Sequence, residues 1–321
     1  MRVAVLGATG FVGRALVPAL QHHDHVVSAW VRSEPRARQL LGADVEYVSA
    51  RGGSQALAAL IARSEAIVNL AGEPLLGKRW TPARRERLRD SRVALTEQVV
   101  RAMGEAPVRP RVLVASSAVG YYGDRAGEPL PESAPPGDDF LSDLCQDWEQ
   151  AARAAAVYGV RVVVVRSGVA LGRDGGAMAS LLPPFRFGVG GPVGSGRQYF
   201  PWIHLHDLVG IITAALVDDR YEGPINAVAP EQVTSAGFAR ALGRVLHRPA
   251  FVPTPALLLR ALFGESSTVL LSSQRVEPRA LRELGFVYRF PALAAALAEV
   301  VGDGDVRRGG SVGRGAQDGA A

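Results

Sequence analysis

Through the first half of the chain, short continuous apolar runs alternate with stretches whose apolar residues recur at three- and four-residue spacing, the rhythm of strands alternating with helices. Val3-Ala4-Val5-Leu6 predicts a first strand, and residues 11–22 follow as a helix with Phe11, Val12, Ala15, Leu16, Ala19 and Leu20 on or near one face. Further strands are predicted over 26–31, 45–48 and 66–72, with a short helix around 57–61. A long amphipathic helix is predicted over 82–103, where Pro82 suits the first turn and Thr81 the N-cap. Residues 111–115 read as a fifth strand. The helix over 140–157 carries the stripe Leu144, Trp148, Ala151, Ala152 and Ala155, and 160–165 is nearly continuous valine, as expected of a central parallel strand buried on both faces. Six such alternations predict an α/β protein built on a doubly wound parallel sheet, the Rossmann architecture.

The rhythm is interrupted over 125–139, rich in Pro, Gly and acid, which reads as a surface loop. From Arg173 onward the chain is Gly/Pro-rich with shorter elements. A helix over 207–217 and a strand over 224–227 return to the sheet, within a segment running from about 204 to 227. Helices over 235–246, 255–263 and 291–301 predict a smaller C-terminal cap on the substrate side. The expected organisation is a doubly wound core over 1–172, the mixed segment and cap over 173–301, and a disordered tail over 302–321.

Composition adds limits. Charge is +5, and Lys78 is the only lysine in a chain whose basic residues are otherwise Arg. The Arg residues are scattered, without the basic and aromatic clustering of a nucleic-acid surface. No apolar run approaches the roughly 18 residues of a membrane span, so neither nucleic acid nor membrane is an expected partner. A lone cysteine, Cys145, excludes an intramolecular disulfide and a Cys-rich metal site and reads as a buried structural thiol; no metal is expected. Glycines interrupt the apolar N-terminal stretch, so the reading is a cytoplasmic protein, monomer or homodimer, acting on a small molecule.

The candidate chemistry begins where the first strand meets the first helix, at Gly7-Ala8-Thr9-Gly10-Phe11-Val12-Gly13. Gly7 permits a tight turn, Gly10 lets backbone approach a pyrophosphate, and Gly13 lets the helix lie close to the strand. The helix N-terminus then offers N–H groups to an anion. At the end of the second strand stands Arg32, where an acidic residue would hold a ribose 2′-hydroxyl. An arginine there pairs with a 2′-phosphate, which points to NADP. Asn69-Leu70-Ala71-Gly72 ends the fourth strand in small residues that let backbone approach the adenosine side.

These residues, with Ser116-Ser117, Arg166-Ser167-Gly168-Val169 and Trp202-Ile203-His204-Leu205-His206-Asp207, resemble the extended short-chain dehydrogenase/reductases, or NAD-dependent epimerase/dehydratase family. Asn69-Leu70-Ala71-Gly72-Glu73-Pro74, Lys78-Arg79-Trp80, Pro184-Phe185-Arg186, the stretch Gly190 to Gln198 and Gly264-Glu265-Ser266-Ser267 are similar to an atypical subgroup of unknown substrate. The resemblance spans essentially 1–301. It implies an NADP site formed by Gly7, Thr9, Gly10, Phe11, Val12, Gly13, Arg32, Leu70, Ala71, Gly72 and Val169, with Arg87 and Arg92 reaching phosphate or ribose from the long helix.

It also exposes a departure. The family's Tyr-x-x-x-Lys pair is absent: Phe140 and Leu144 stand in about those places, and no tyrosine has a lysine four residues later. Ser117 is then the best-placed hydroxyl to orient a carbonyl, and Tyr121 or Tyr122 the nearest phenol to supply a proton. Gly194 and Arg197 form the expected substrate loop. His204 and Asp207 are expected to cap a helix and join domains, and Trp148 and Trp202 to pack. The activity implied is NADP-dependent reduction of a small carbonyl or sugar-like substrate; the alternative is an NADPH-binding regulatory protein without turnover.

Overall fold

The computed structural model describes residues 1–173 and 175–302; of the tail expected over 302–321, all but Gly302 lies outside them. Seven parallel strands form the central sheet, starting with β1 (Arg2–Leu6), β2 (Val26–Val31), β3 (Glu46–Ser49), β4 (Ala66–Asn69) and β5 (Val112–Ala118). A two-residue strand, β6 (Pro129–Leu130), lies outside it, and β7 (Arg161–Ser167) resumes it. A side pair of β8 (Val169–Leu171) and β9 (Trp202–His204) follows, then β10 (Gly223–Ala227) at the sheet edge and β11 (Arg275–Val276), which pairs with β6. The sheet order β10-β7-β5-β4-β1-β2-β3 reverses between β1 and β4, so the crevice above their C-terminal ends is the switch point of a doubly wound fold.

Helices α1 (Phe11–His22), α2 (Glu34–Leu41), α3 (Gly53–Ala62), α4 (Pro82–Arg89), α5 (Leu95–Glu105) and α6 (Phe140–Arg153) belong to the first half. Helices α7 (Met178–Arg186), α8 (Leu205–Val217), α9 (Ser235–Leu246), α10 (Ala256–Phe263), α11 (Thr268–Leu271), α12 (Arg279–Glu283) and α13 (Leu293–Val301) complete the chain. Alternate strand residues point to opposite faces. Val3, Val5, Val112 and Val114 pack with α1 and α8 on one face, while Ala4, Leu6, Leu113 and Ala115 pack with α3, α5 and α6 on the other. α7, α9 and α13 close a separate core around Trp202, Phe238 and Leu297.

Boundaries differ where side chains intervene. The fourth strand stops at Asn69, not Gly72, because Asn69 Oδ1 accepts from the Ala71 N–H (3.2 Å) and its amide donates to Thr96 Oγ1 (2.9 Å), turning the chain. The long helix is continuous in direction but widens into a π-turn over Asp90–Ala94. Thr81 caps it by accepting from the Arg84 N–H. The 125–139 segment is more than a surface loop: Leu130 is fully buried, and Asn226 donates to the Leu130 carbonyl (3.1 Å). A loop composition does not reveal that a buried amide will bind its backbone.

Candidate functional site

The glycine turn sits at the switch point. Gly7 has φ +81°, and a Cβ there would lie 2.7 Å from the Leu70 carbonyl carbon and 2.8 Å from the Ala71 nitrogen, so β1 and β4 end in direct backbone contact. The Leu70 N–H donates to the Leu6 carbonyl (2.9 Å) and the Gly10 N–H to the Gly7 carbonyl (2.9 Å). A Cβ on Gly13 would come within 2.6 Å of Ala8 Cα and closer still to the Gly7 and Ala8 carbonyl oxygens, so only glycine lets α1 pack this tightly. Gly10 is the N-cap of α1 in extended conformation, with no side chain capping the helix. The N–H groups of the first turn therefore face an exposed Gly10 and Thr9, Phe11 and Val12, which are only half-buried: a cradle of donors suited to a phosphate.

The second wall is cationic and centres on Glu73. Its carboxylate accepts from Arg84 Nη1 (2.8 Å) and lies 3.6 Å from Arg32 Nη1, and its carbonyl accepts from Arg92 Nη2 (2.8 Å). Hydrogen bonding by Arg84 holds the Glu73 carboxyl below the usual range. Arg32, at the end of β2, is almost fully exposed at 90%. Arg92 is buried under the π-turn, its guanidinium 5.3 Å from the Trp148 ring and against Gly72, where a Cβ would be 3.0 Å from Cζ. Burial lowers its pKa to about 10, so it remains a cation at neutral pH, and no carboxylate is within ion-pair reach among the described residues. Arg87 is exposed on α4 and makes no such contact, so it does not share the placement of Arg92.

Ser117 and Tyr121 belong to a different cluster. Ser117 is 3% exposed, and its hydroxyl donates to Glu149 Oε1 (2.8 Å). Glu149 is buried on α6 and forms a bidentate pair with the equally buried Arg166, Nε and Nη2 each at 2.8 Å, with Arg153 adding a bond of 2.7 Å. Arg166 Nη1 donates to the Tyr122 hydroxyl (3.0 Å), which donates to Asn226 Oδ1 (2.7 Å); burial pushes that phenol up to about 12. The Arg166 guanidinium lies 3.5 Å from the centroid of the Tyr121 ring. Tyr121 is half-buried, and its hydroxyl has no hydrogen bond among the described residues.

Val169 begins β8 opposite Trp202. The Gly190–Gln198 stretch is fastened by its backbone, with Gly194 N–H to the Thr254 carbonyl (2.9 Å) and Gln198 Nε2 to the Val193 carbonyl (2.8 Å), while Arg197 is exposed. His204 caps α8 by accepting the His206 N–H at Nδ1 (3.2 Å), and its Nε2 meets Glu299 (3.0 Å). Asp207 accepts from the backbone of Arg289 (2.7 Å) and Phe290 (3.0 Å), joining α8 to the C-terminal segment. The cap also grips the loop before α4: Arg79 donates to the Leu262 carbonyl (3.1 Å) and to Ala261, at the negative end of α10, and Arg85 pairs with Glu265. Thus Gly7–Gly13, Leu70–Gly72, Arg32 and Arg92 converge, and Ser117 with Tyr121 forms a neighbouring cluster.

Glu73, Arg84 and Glu149 were not among the expected site residues. The readable signals were a carboxylate at 149 on the apolar face of α6, between Cys145 and Ala152, and Arg166 directly after the four valines of β7.

Residues 3–227 match the model of the NAD dependent epimerase/dehydratase family, and 254–300 match a domain of unknown function, DUF1731. The chain is 42% identical to the Bos taurus epimerase family protein SDR39U1 over 306 residues, covering 94% of this chain and all of that one. It is 40% identical to the Arabidopsis thaliana homologue, which is named chloroplastic, with 94% and 87% covered. The crystal structure of human SDR39U1 (isoform 2) with NADPH superposes with a TM-score of 0.84 at 41% identity, covering 94% of this chain and 99% of that one. A UDP-glucuronic acid 4-epimerase from Bacillus cereus shares the fold alone, at 17% identity and a TM-score of 0.75. By sequence match and by architecture, this chain belongs to the NAD dependent epimerase/dehydratase family.

Proposed function

We propose that this protein binds NADP(H) and acts as an oxidoreductase on a small carbonyl or sugar-like substrate. The uncapped N-terminus of α1, brought against β4 by Gly7 and Gly13, carries the proposal, and the relative that binds NADPH at 41% identity supports it. The first-turn N–H groups and Arg92, a buried cation with no carboxylate in ion-pair reach among the described residues, suit the pyrophosphate; Arg32, loosely paired with Glu73, suits the 2′-phosphate. Bound NADPH would supply a hydride. Tyr121, whose hydroxyl has no hydrogen bond among the described residues and whose ring is held by Arg166, is assigned the proton donor to the carbonyl oxygen. Ser117 would orient the carbonyl once its hydroxyl leaves Glu149, and Arg197 would hold an anionic group of the substrate.

The test is fluorescence titration with NADPH and NADH, followed by nicotinamide absorbance across a panel of carbonyl compounds. Turnover that Ser117→Ala or Tyr121→Phe removes is expected. Weak binding of both nucleotides would reject the proposal at its root. The engagement of the Ser117 hydroxyl by Glu149 favours a second reading, an NADPH-binding regulatory protein; tight binding with no oxidation across the panel is its signature.

A further inference from the structure

The cap presents an apolar surface that no described residue covers. Phe187 (83% exposed) and Val189 follow α7, Phe251 (75%) and Val252 precede α10, and Leu257 (79%), Leu258 and Leu262 stand on α10. The segments are neighbours: the Val252 N–H donates to the Gly190 carbonyl (3.3 Å), and a Cβ on Gly188 would touch Pro249. α10 reads Ala-Leu-Leu-Leu-Arg-Ala-Leu-Phe, yet only Leu259 is buried. A helix apolar on nearly every side is ordinarily enclosed. These seven large apolar residues are 41–83% exposed, on segments that lie close in sequence or are bonded to each other, more than the scattered single apolar side chains of an ordinary surface.

The charge around the patch selects its occupant. No Asp or Glu occurs over 175–206 or 232–264, the stretches that supply it. Arg240, Arg244 and Arg260 are exposed and Arg248 half-exposed there, and none pairs with a carboxylate among the described residues. Glu265, the next acid along the chain, is taken by Arg85. A two-fold contact would press this surface against itself and bring arginine to arginine without a counter-charge. Exposed Phe and Leu among unpaired arginines fit a layer that is apolar beneath and negative on top.

We propose that this face of the cap docks on the surface of an anionic lipid bilayer, with Phe251, Leu257, Leu258 and Leu262 entering the headgroup boundary and the arginines meeting lipid phosphate. No helix among the described residues is long and apolar enough to cross a membrane, so the contact is peripheral. The proposal departs from the sequence-based expectation that a membrane is not a partner.

The test is co-sedimentation of the full chain with vesicles of phosphatidylcholine alone or with about 30 mol % phosphatidylserine. Binding to the anionic vesicles only, falling with added salt, is expected. Leu257→Glu/Leu258→Glu should reduce partitioning at least tenfold, and Arg244→Glu about fivefold or more, with circular dichroism unchanged because these side chains are already exposed. Inorganic phosphate at matched ionic strength should not compete; if it abolishes binding, the arginines hold a free anion and the lipid assignment fails. Equal pelleting with both vesicle types, or undiminished binding by the leucine variant, overturns the proposal. So does a dimer in sedimentation equilibrium that the leucine variant dissolves, since a second copy would then cover the patch.

Discussion

Replacing Glu149 by Gln tests the buried network most directly. The carboxylate is 1% exposed, and its two oxygens accept four hydrogen bonds: one from Ser117, two from Arg166 and one from Arg153. Gln keeps the volume but places an amide donor against an arginine donor and leaves the Arg166 guanidinium, 1% exposed, without its counter-charge. Breaking a buried pair in this way costs about 3–5 kcal/mol, a large share of a total near ~5–15 kcal/mol. Arg153, half-exposed, contributes little, so Arg153→Ala should cost about 0–1 kcal/mol. Urea denaturation gives the quantity: the Glu149→Gln midpoint should fall with an unchanged slope. The double variant Glu149→Leu/Arg166→Met should recover part of the loss, because no charge is left stranded, but not all, because Tyr122 and the Glu132 carbonyl lose their donor. A Glu149→Gln loss below about 1 kcal/mol would refute the account of this pair as a mutually compensated buried charge.

Three further outcomes follow from the same geometry. Arg32→Asp should erase a preference for NADPH over NADH by roughly 10- to 100-fold, read by competitive titration; unchanged relative affinities would place the 2′-phosphate elsewhere. Gly13→Ala should cost about 1–3 kcal/mol and weaken nucleotide binding, since its methyl meets the Gly7 and Ala8 backbone; wild-type stability would show that α1 can move away freely. Burial pushes the Cys145 thiol and the Tyr122 phenol each up to about 12, while the unfolded chain sheds these protons from about pH 8.5 and 10. Stability should hold to about pH 8.5 and be lost as pH rises toward 12, measured by urea midpoints, and Tyr122→Phe should lessen the loss above pH 10; a flat profile contradicts the shifts.

Much of the frame was legible because it depends on local pattern. The valine run of β7, the spaced glycines and the Thr81 cap announce themselves in neighbouring residues, and α9 spans the predicted 235–246. The site was legible in part. Gly7, Leu70 and Ala71 were expected near one ligand, and their backbones touch. Arg87 and Arg92 were both expected to reach the cofactor from one helix, Arg92 before Arg87; across the π-turn at 90–94 Arg92 is buried and Arg87 stands in solvent.

What the sequence determined by itself was therefore the alternation of elements, the doubly wound sheet, the glycine cradle and the absence of a Tyr-x-x-x-Lys pair. All of these are carried by spacings of a few residues. Only the tertiary structure decided which charges are compensated. Glu149 meets Arg166 across 17 residues, Tyr122 meets Asn226 across 104, and Glu73 gathers Arg32 and Arg84 from two different elements. Local pattern fixes which face a side chain takes; its partner is set by how strands and helices stack, because a buried charge persists only where the fold delivers a counter-charge or a donor to the same point.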